Sequence, residues 1–139
     1  MSISRQNLTV VIVSYISDEV IHNCIKSIPK DIKIIVVDNS GNEKFKNDIE
    51  DKYKNIKCIL SFHNSGMGAG NNLGLKRVKT DYAIILNPDT ILDQNSIEKI
   101  IKDSVNLKSF AILAPLSDDT KYPNYKLDKK SLLNVNDNT

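Results

Sequence analysis

Two aspartates and a run of glycines carry the chemistry that this sequence can offer. Asp89 stands just beyond the apolar run Tyr82 to Leu86, in Leu86-Asn87-Pro88-Asp89. Hard divalent ions such as Mg²⁺ or Mn²⁺ favour carboxylate oxygen and typically share their coordination sphere with substrate phosphates. A single carboxylate at a strand end therefore suits a metal-bridged diphosphate; the plainer alternative is that Asp89 or Thr90 caps the next helix. Asp38 closes a second apolar run, in Val36-Val37-Asp38-Asn39-Ser40-Gly41. Its carboxylate can accept from a ribose hydroxyl or a pyrimidine N–H, or bond its own backbone in an Asx turn. Gly66, Gly68, Gly70 and Gly74 are four of only five glycines in the chain. Glycines at a helix entrance admit close approach of a ligand, and the free N–H groups there favour an anion. A tight turn with helix entry is the alternative. The spacing is not a dinucleotide fingerprint: Asn71 stands where the third glycine of G-x-G-x-x-G belongs, and the cluster follows the third strand rather than the first.

The elements that must position these residues are legible as alternating patterns. Leu8 to Val13, Ile32 to Val37, Ile56 to Ser61, Tyr82 to Leu86 and Phe110 to Ala114 read as strands, most of them solid apolar runs of the kind buried on both faces. Between them the spacing predicts a helix capped by Ser17 and ended by Pro29, with Val20, Ile21, Cys24, Ile25 and Ile28 on one face. A charged helix is expected over 44–53. A glycine-rich loop at 63–70 is expected to open a helix to about Val78, and another helix to cover 93–107. The alternation implies a mostly parallel sheet with helices on both faces. In such α/β sheets ligands bind beyond the carboxyl ends of the strands. Ser14-Tyr15, Asp38-Asn39-Ser40, Asn64 to Asn72 and Asn87 to Asp89 all fall there. After Leu116 the chain turns polar, and a loop, a short helix near 127–133 and a fraying end are expected.

Composition bounds the rest. The 139 residues suffice for one domain with a core. With 19 basic and 17 acidic residues the net charge is +2, which gives no electrostatic case for nucleic acid. The loose lysine clusters fit solvated helix faces, an anionic membrane surface touched peripherally, or an anionic substrate. The two cysteines, Cys24 and Cys58, lie in apolar patterns and read as buried free thiols of a reducing compartment. No apolar run approaches the roughly 20 residues of a membrane span, and no signal region opens the chain, so the reading is cytoplasmic.

Val11-Ile12-Val13-Ser14-Tyr15, Val36-Val37-Asp38-Asn39-Ser40, Asn64-x-Gly66-x-Gly68-x-Gly70-Asn71-Asn72-x-Gly74 and Leu86-Asn87-Pro88-Asp89 occur in an order that resembles the family 2 glycosyltransferases. The resemblance is to the rhamnosyltransferase-like branch, which uses Asn-Pro-Asp in place of Asp-x-Asp, and it covers roughly residues 8–117. It implies a GT-A fold, Rossmann-like in its nucleotide-binding half, with residues 1–117 forming a nucleotide-sugar-binding domain. Residues 118–139 would be the start of an acceptor region or a polar tail. It implies a nucleoside-diphosphate sugar of dTDP, UDP or GDP type, held by Ser14, Tyr15, Asp38, Asn39, Asn64, Gly66, Gly68, Gly70, Asn71, Asn72 and Asn87. Asp89 would ligate Mg²⁺ or Mn²⁺. Inverting transfer of a hexose or deoxyhexose to a glycan or lipid-linked acceptor, in cell-surface polysaccharide synthesis, is the activity implied.

The match departs from the family at its end. Family members continue into an acceptor half that supplies the catalytic base, usually from an acidic pair. Asp118 and Asp119 lie too early, and Asp128 and Asp137 sit in no recognisable motif, so no base is assigned. The sheet is expected to expose an edge where that half would pack, open to a partner chain or to self-association. Two readings stand: a glycosyltransferase, alone or with a partner, and a truncated or non-catalytic module that binds the nucleotide sugar without transferring it.

Overall fold

The structure, a computed structural model, describes residues 3–107 and 109–115. Four parallel strands, β1 (Leu8–Ser14), β2 (Lys33–Asp38), β3 (Ile56–Leu60) and β4 (Tyr82–Leu86), form a sheet in the order β3-β2-β1-β4. Helices α1 (Asp18–Ser27), α2 (Glu43–Lys52), α3 (Gly66–Leu75) and α4 (Ser96–Ser104) alternate with them. The parallel α/β architecture expected from the sequence is the one observed.

Strand composition and crossover handedness together explain the layers. Parallel strands joined by helices cross over right-handedly, so reversing the direction of travel across the sheet puts the next helix on the opposite face. From β1 to β3 the chain steps one way, and α1 and α2 cover one face. From β3 to β4 it steps back across the sheet, and α3 lies on the other. The larger core joins Leu8, Val10 and Ile12 of β1 to Ile21, Cys24 and Ile25 of α1, Phe45 and Ile49 of α2, and Ile97 of α4. The smaller core sets Val11, Val13, Ile35 and Val37 against Leu73 and Val78. All seven residues of β1 are buried. A buried Val or Ile contributes roughly 1.5–3 kcal/mol, which makes β1 the strand on which both layers depend.

Local sequence sets the helix ends. The Asn42 side chain caps α2 by accepting the Phe45 N–H at 3.1 Å, and Phe45 and Ile49, one turn apart, are the two residues that α2 buries. Ser17 was expected to cap α1 but makes no side-chain cap bond. Its Oγ turns back to accept the Tyr15 N–H at 3.4 Å and donate to the Tyr15 carbonyl at 3.2 Å, competing successfully with the helix for the hydroxyl.

Several elements differ from expectation: α3 ends at Leu75 rather than near Val78, α4 ends at Ser104, and three further differences have a local cause. The region 63–70 is only partly loop, because α3 begins at Gly66. Residues 93–95 precede α4 rather than belong to it; the Asp93 carboxylate accepts the Gln94 N–H at 2.8 Å and its carbonyl accepts the Ser96 N–H at 2.9 Å, a local turn that helix cannot share. Phe110 to Ala114 forms no strand: the Phe110 ring lies against Tyr82 at 6.2 Å between centroids, and Ile112 is 87 % exposed. Apolar, β-branched composition favours a strand only where a neighbour supplies the ladder. Among the described residues the outer edge of β4 bears no strand. The α3 side of β4 is also open, with Ala83 and Ile85 exposed. The expected helix near 127–133, the boundary at 117/118 and Asp118, Asp119, Asp128 and Asp137 lie outside the described residues. No helix among the described residues is long and apolar enough to cross a membrane.

Candidate functional site

The order of the strands reverses between β1 and β4, the arrangement that opens a crevice beyond the strand ends. Ser14 and Asp38 end their strands there, and the Asn87-Pro88-Asp89 turn follows the end of β4. Ser14 pairs with Asp38 in register, and the Asn39 N–H continues the ladder to the Ser14 carbonyl at 2.8 Å. Ser14 is fully buried and its Oγ has no partner. Tyr15, the next residue, is half exposed. Ile16 then takes φ 50°, a left-handed backbone that a β-branched residue rarely adopts. No sequence signal announces it, since Gly or Asn is what such a position ordinarily selects.

Asp38 is 1 % exposed and its carboxylate is fully engaged by the turn it begins. It accepts the Asn42 N–H at 2.8 Å, the Ser40 N–H at 3.3 Å and the Ser40 hydroxyl at 2.8–2.9 Å. This is the Asx-type arrangement read from the sequence as the alternative to ligand contact. Asn39, also buried, bridges outward: its Nδ2 donates to the Gly66 carbonyl at 3.2 Å, tying the end of β2 to the start of α3, while its Oδ1 is buried without a partner.

The glycines divide into two pairs. A Cβ on Gly70 would lie 2.7 Å from Val13 Cγ1, and one on Gly74 would lie 2.5 Å from Val11 Cγ1. Both serve the close approach of α3 to β1 and β2. Gly66, at φ 82°, and Gly68 have nothing within 4 Å of an added Cβ and face open space at the helix entrance. Asn64 Oδ1 accepts the Gly66 N–H at 3.3 Å. Asn71 is half-buried with its Oδ1 unpartnered, and Asn72 is exposed. The strand-end elements thus bring together Ser14, Asp38, Asn39 and the Gly66 end of α3. Gly70 belongs to the packing beneath them.

Asp89 is held by a β-turn. The Asn87 carbonyl accepts the Thr90 N–H at 3.1 Å, with Pro88 and Asp89 at the two central positions. Proline's fixed φ suits the first of these. Asn87 and Asp89 are exposed. Among the described residues no group of three or more His, Cys, Asp and Glu is placed to hold a metal. A cation at Asp89 would therefore take most of its sphere from ligand oxygens and water, which is how Mg²⁺ is usually held beside phosphates. The lone, exposed carboxylate on a rigid turn fits that use and does not fit an all-protein metal cage.

Cys24 of α1 lies beneath this turn, fully buried, with its Sγ 3.6 Å from the Asn87 carbonyl. Burial, and then the negative charge of Asp89, push its thiol up to about 11. Cys58 is pushed up to about 12, by burial first and by Asp38 and Glu50 next. The thiolate is the nucleophile, so both groups are inert near neutrality. In the folded chain at pH 8, iodoacetamide should label neither cysteine, and in guanidinium it should label both. Mass spectrometry of the intact protein counts the adducts.

The sequence profile of the family described as "Glycosyl transferase family 2" matches residues 9–137. An uncharacterized glycosyltransferase of Haemophilus influenzae is 29% identical over 80 residues, covering 55% of this chain and 32% of that protein. The low-salt glycan biosynthesis hexosyltransferase Agl10 of Haloferax volcanii is 29% identical over 115 residues, covering 78% of this chain and 36% of its own length. The chain spans about a third of the length of these curated relatives. Among solved structures, S. aureus TarS 1-349 in complex with UDP superposes with a TM-score of 0.61 at 20% identity, covering 71% of this chain and 32% of that one. At that identity the likeness concerns the fold.

Proposed function

The chain belongs to glycosyl transferase family 2, and from that premise we propose that its strand-end crevice binds a nucleoside-diphosphate sugar with a divalent cation for transfer of the sugar. The observation that carries the proposal is the placement of Asp89 on a proline-fixed turn at the end of β4, across from Ser14 and Tyr15 at the end of β1. The exposed Tyr15 ring offers a face for a nucleotide base. Ser14 Oγ, Asn39 Oδ1 and Asn71 Oδ1 are three of the four described side-chain atoms buried without partners, the fourth being Glu98 Oε2 on α4, and a buried polar atom without a partner costs about 1–3 kcal/mol until one arrives. Asp38 acts on the site through the turn that it holds. Gly66 and Gly68 leave room at the entrance of α3 for ribose or phosphate, with Asn64 and Asn72 at its rim.

Asp89 would ligate Mg²⁺ or Mn²⁺, and Asn87 would contact the donor beside it. When bound, the metal neutralises the departing diphosphate as a Lewis acid. In inverting transfer an acceptor hydroxyl attacks the anomeric carbon, the bond to the diphosphate oxygen breaks, and a carboxylate base takes the hydroxyl proton. No residue of this chain is assigned that base. A hexose or deoxyhexose is the proposed sugar; the relative from Haloferax volcanii, a hexosyltransferase by name, supports that class. The TarS complex with UDP supports a nucleotide ligand for the fold. Binding without transfer is the second reading, favoured by Asp89 standing, among the described residues, in no group of three or more His, Cys, Asp and Glu.

Thermal shift and ligand-observed NMR with UDP-, dTDP- and GDP-sugars, each with and without Mn²⁺, test the proposal. One nucleotide class should stabilise the chain in a metal-dependent way. No metal-dependent stabilisation by any of them overturns it.

A further inference from the structure

The segment that presents Asp89 is fastened at both ends by one helix. Cys24 and Ser27 stand three residues apart on α1 and therefore share a face. Cys24 Sγ reaches the Asn87 carbonyl at 3.6 Å, and Ser27 Oγ accepts the Leu92 N–H at 3.0 Å. These contacts span 63 and 65 residues of sequence. The Asn87 carbonyl is the same oxygen that closes the turn around Pro88 and Asp89. Ser27 is also oriented: its hydroxyl donates to the Cys24 carbonyl at 2.6 Å, which turns a lone pair toward Leu92. A serine inside a helix commonly bonds back to its own helix and nothing else. Here it receives in addition an N–H from a residue outside any helix or strand.

We propose that Cys24 and Ser27 are positioning residues for Asp89, holding the segment 87–92 from its two ends so that the carboxylate stands at one fixed place over the strand ends. The inference rests on the reading of Asp89 as the metal ligand. It goes beyond that reading by assigning the placement of the ligand to α1, an element with no part in the motif itself. The two tethers are not equal. A thiol is a weak donor, and the Asn87 carbonyl keeps its bond from Thr90 if the thiol is lost. Without the Ser27 oxygen, the bond that ties Leu92 to α1 is gone.

The test is a Mn²⁺ titration of the full chain, following free Mn²⁺ by electron paramagnetic resonance in the presence of UDP, dTDP and GDP in turn. In Ser27→Ala the Mn²⁺ concentration for half-saturation should rise roughly three- to tenfold, the scale of one lost hydrogen bond. Nucleotide affinity in excess EDTA should stay unchanged. Ser27→Thr, which keeps the hydroxyl, should restore the midpoint, and Cys24→Ala should shift it the same way by less. Cys24→Ala also carries the test if Ser27→Ala fails to fold. A purely structural role would lower the melting temperature and leave the Mn²⁺ midpoint of the folded protein where it was; that result overturns the inference. If Asp89→Ala loses Mn²⁺ binding while Ser27→Ala and Cys24→Ala titrate like the unaltered chain, the tether falls and the donor site stands. If the unaltered chain binds no Mn²⁺ with any of the three nucleotides, both fall.

Discussion

Asp89→Ala is expected to abolish metal-dependent nucleotide binding while leaving the chain folded. Loss of residues that merely support a metal ligand typically costs 10–100-fold in affinity, and removal of the only carboxylate on the turn should cost at least roughly a hundredfold. The fold should tolerate the change because Asp89 is exposed, and exposed substitutions usually stay within about 0.5 kcal/mol. The closing bond of the turn runs from the Thr90 N–H to the Asn87 carbonyl and uses no atom of the aspartate side chain. Isothermal titration of the active nucleotide with and without Mn²⁺ reads the effect. The variant should bind as weakly with Mn²⁺ as without it. Asp89→Asn keeps an oxygen but loses the charge, and should fall between the two. Unchanged Mn²⁺ dependence in Asp89→Ala would remove the aspartate from the site altogether.

The second large effect separates two glycines of one helix by sign. Gly74→Ala places a Cβ 2.5 Å from Val11 Cγ1 and 3.2 Å from Val37 Cγ2, both in buried strands. Overpacking of this kind costs about 1–3 kcal/mol, against a gain of about 0.8–1 kcal/mol from replacing glycine in a helix. The net result should be a destabilised protein. Gly68→Ala meets nothing within 4 Å and keeps only the gain, so it should stabilise by about 0.4–1 kcal/mol. Urea denaturation of the two variants measures both. A Gly74→Ala chain as stable as the original would mean that α3 can lift from the sheet at little cost.

Those glycines also mark how far the sequence could be read. Their density between the third and fourth strands was plain, and so was their suitability for a ligand. Gly70 and Gly74 facing Val13 and Val11 could not be seen, because it depends on how α3 lies across the sheet. Strands fared better where the sequence is a solid apolar run: Tyr82–Leu86 has the bounds that its composition implies although one of its faces is open, and β1, buried on both faces, differs by Ser14 alone. Phe110 to Ala114 has the same composition without the outcome, since pairing is a property of the neighbour. The site shows the same division. Asp89 and Asp38 were legible as strand-end carboxylates. The engagement of Asp38 by Ser40 and Asn42 is local, and the sequence offers it as the Asx alternative. The contacts of Cys24 and Ser27 with the segment 87–92 join positions more than 60 residues apart, and no local pattern records them.

The left-handed backbone at Ile16 bears on how a ligand meets this crevice. Holding a β-branched residue there costs on the order of 1–3 kcal/mol, and the cost is offset within the fold, where Ser17 grips both backbone polar groups of Tyr15. The loop between β1 and α1 is therefore preorganised. A flexible loop gives up conformational freedom when a ligand orders it, and that loss is subtracted from affinity. Whatever lies on the Tyr15 ring meets a backbone whose freedom was surrendered during folding, so more of the contact energy survives as binding.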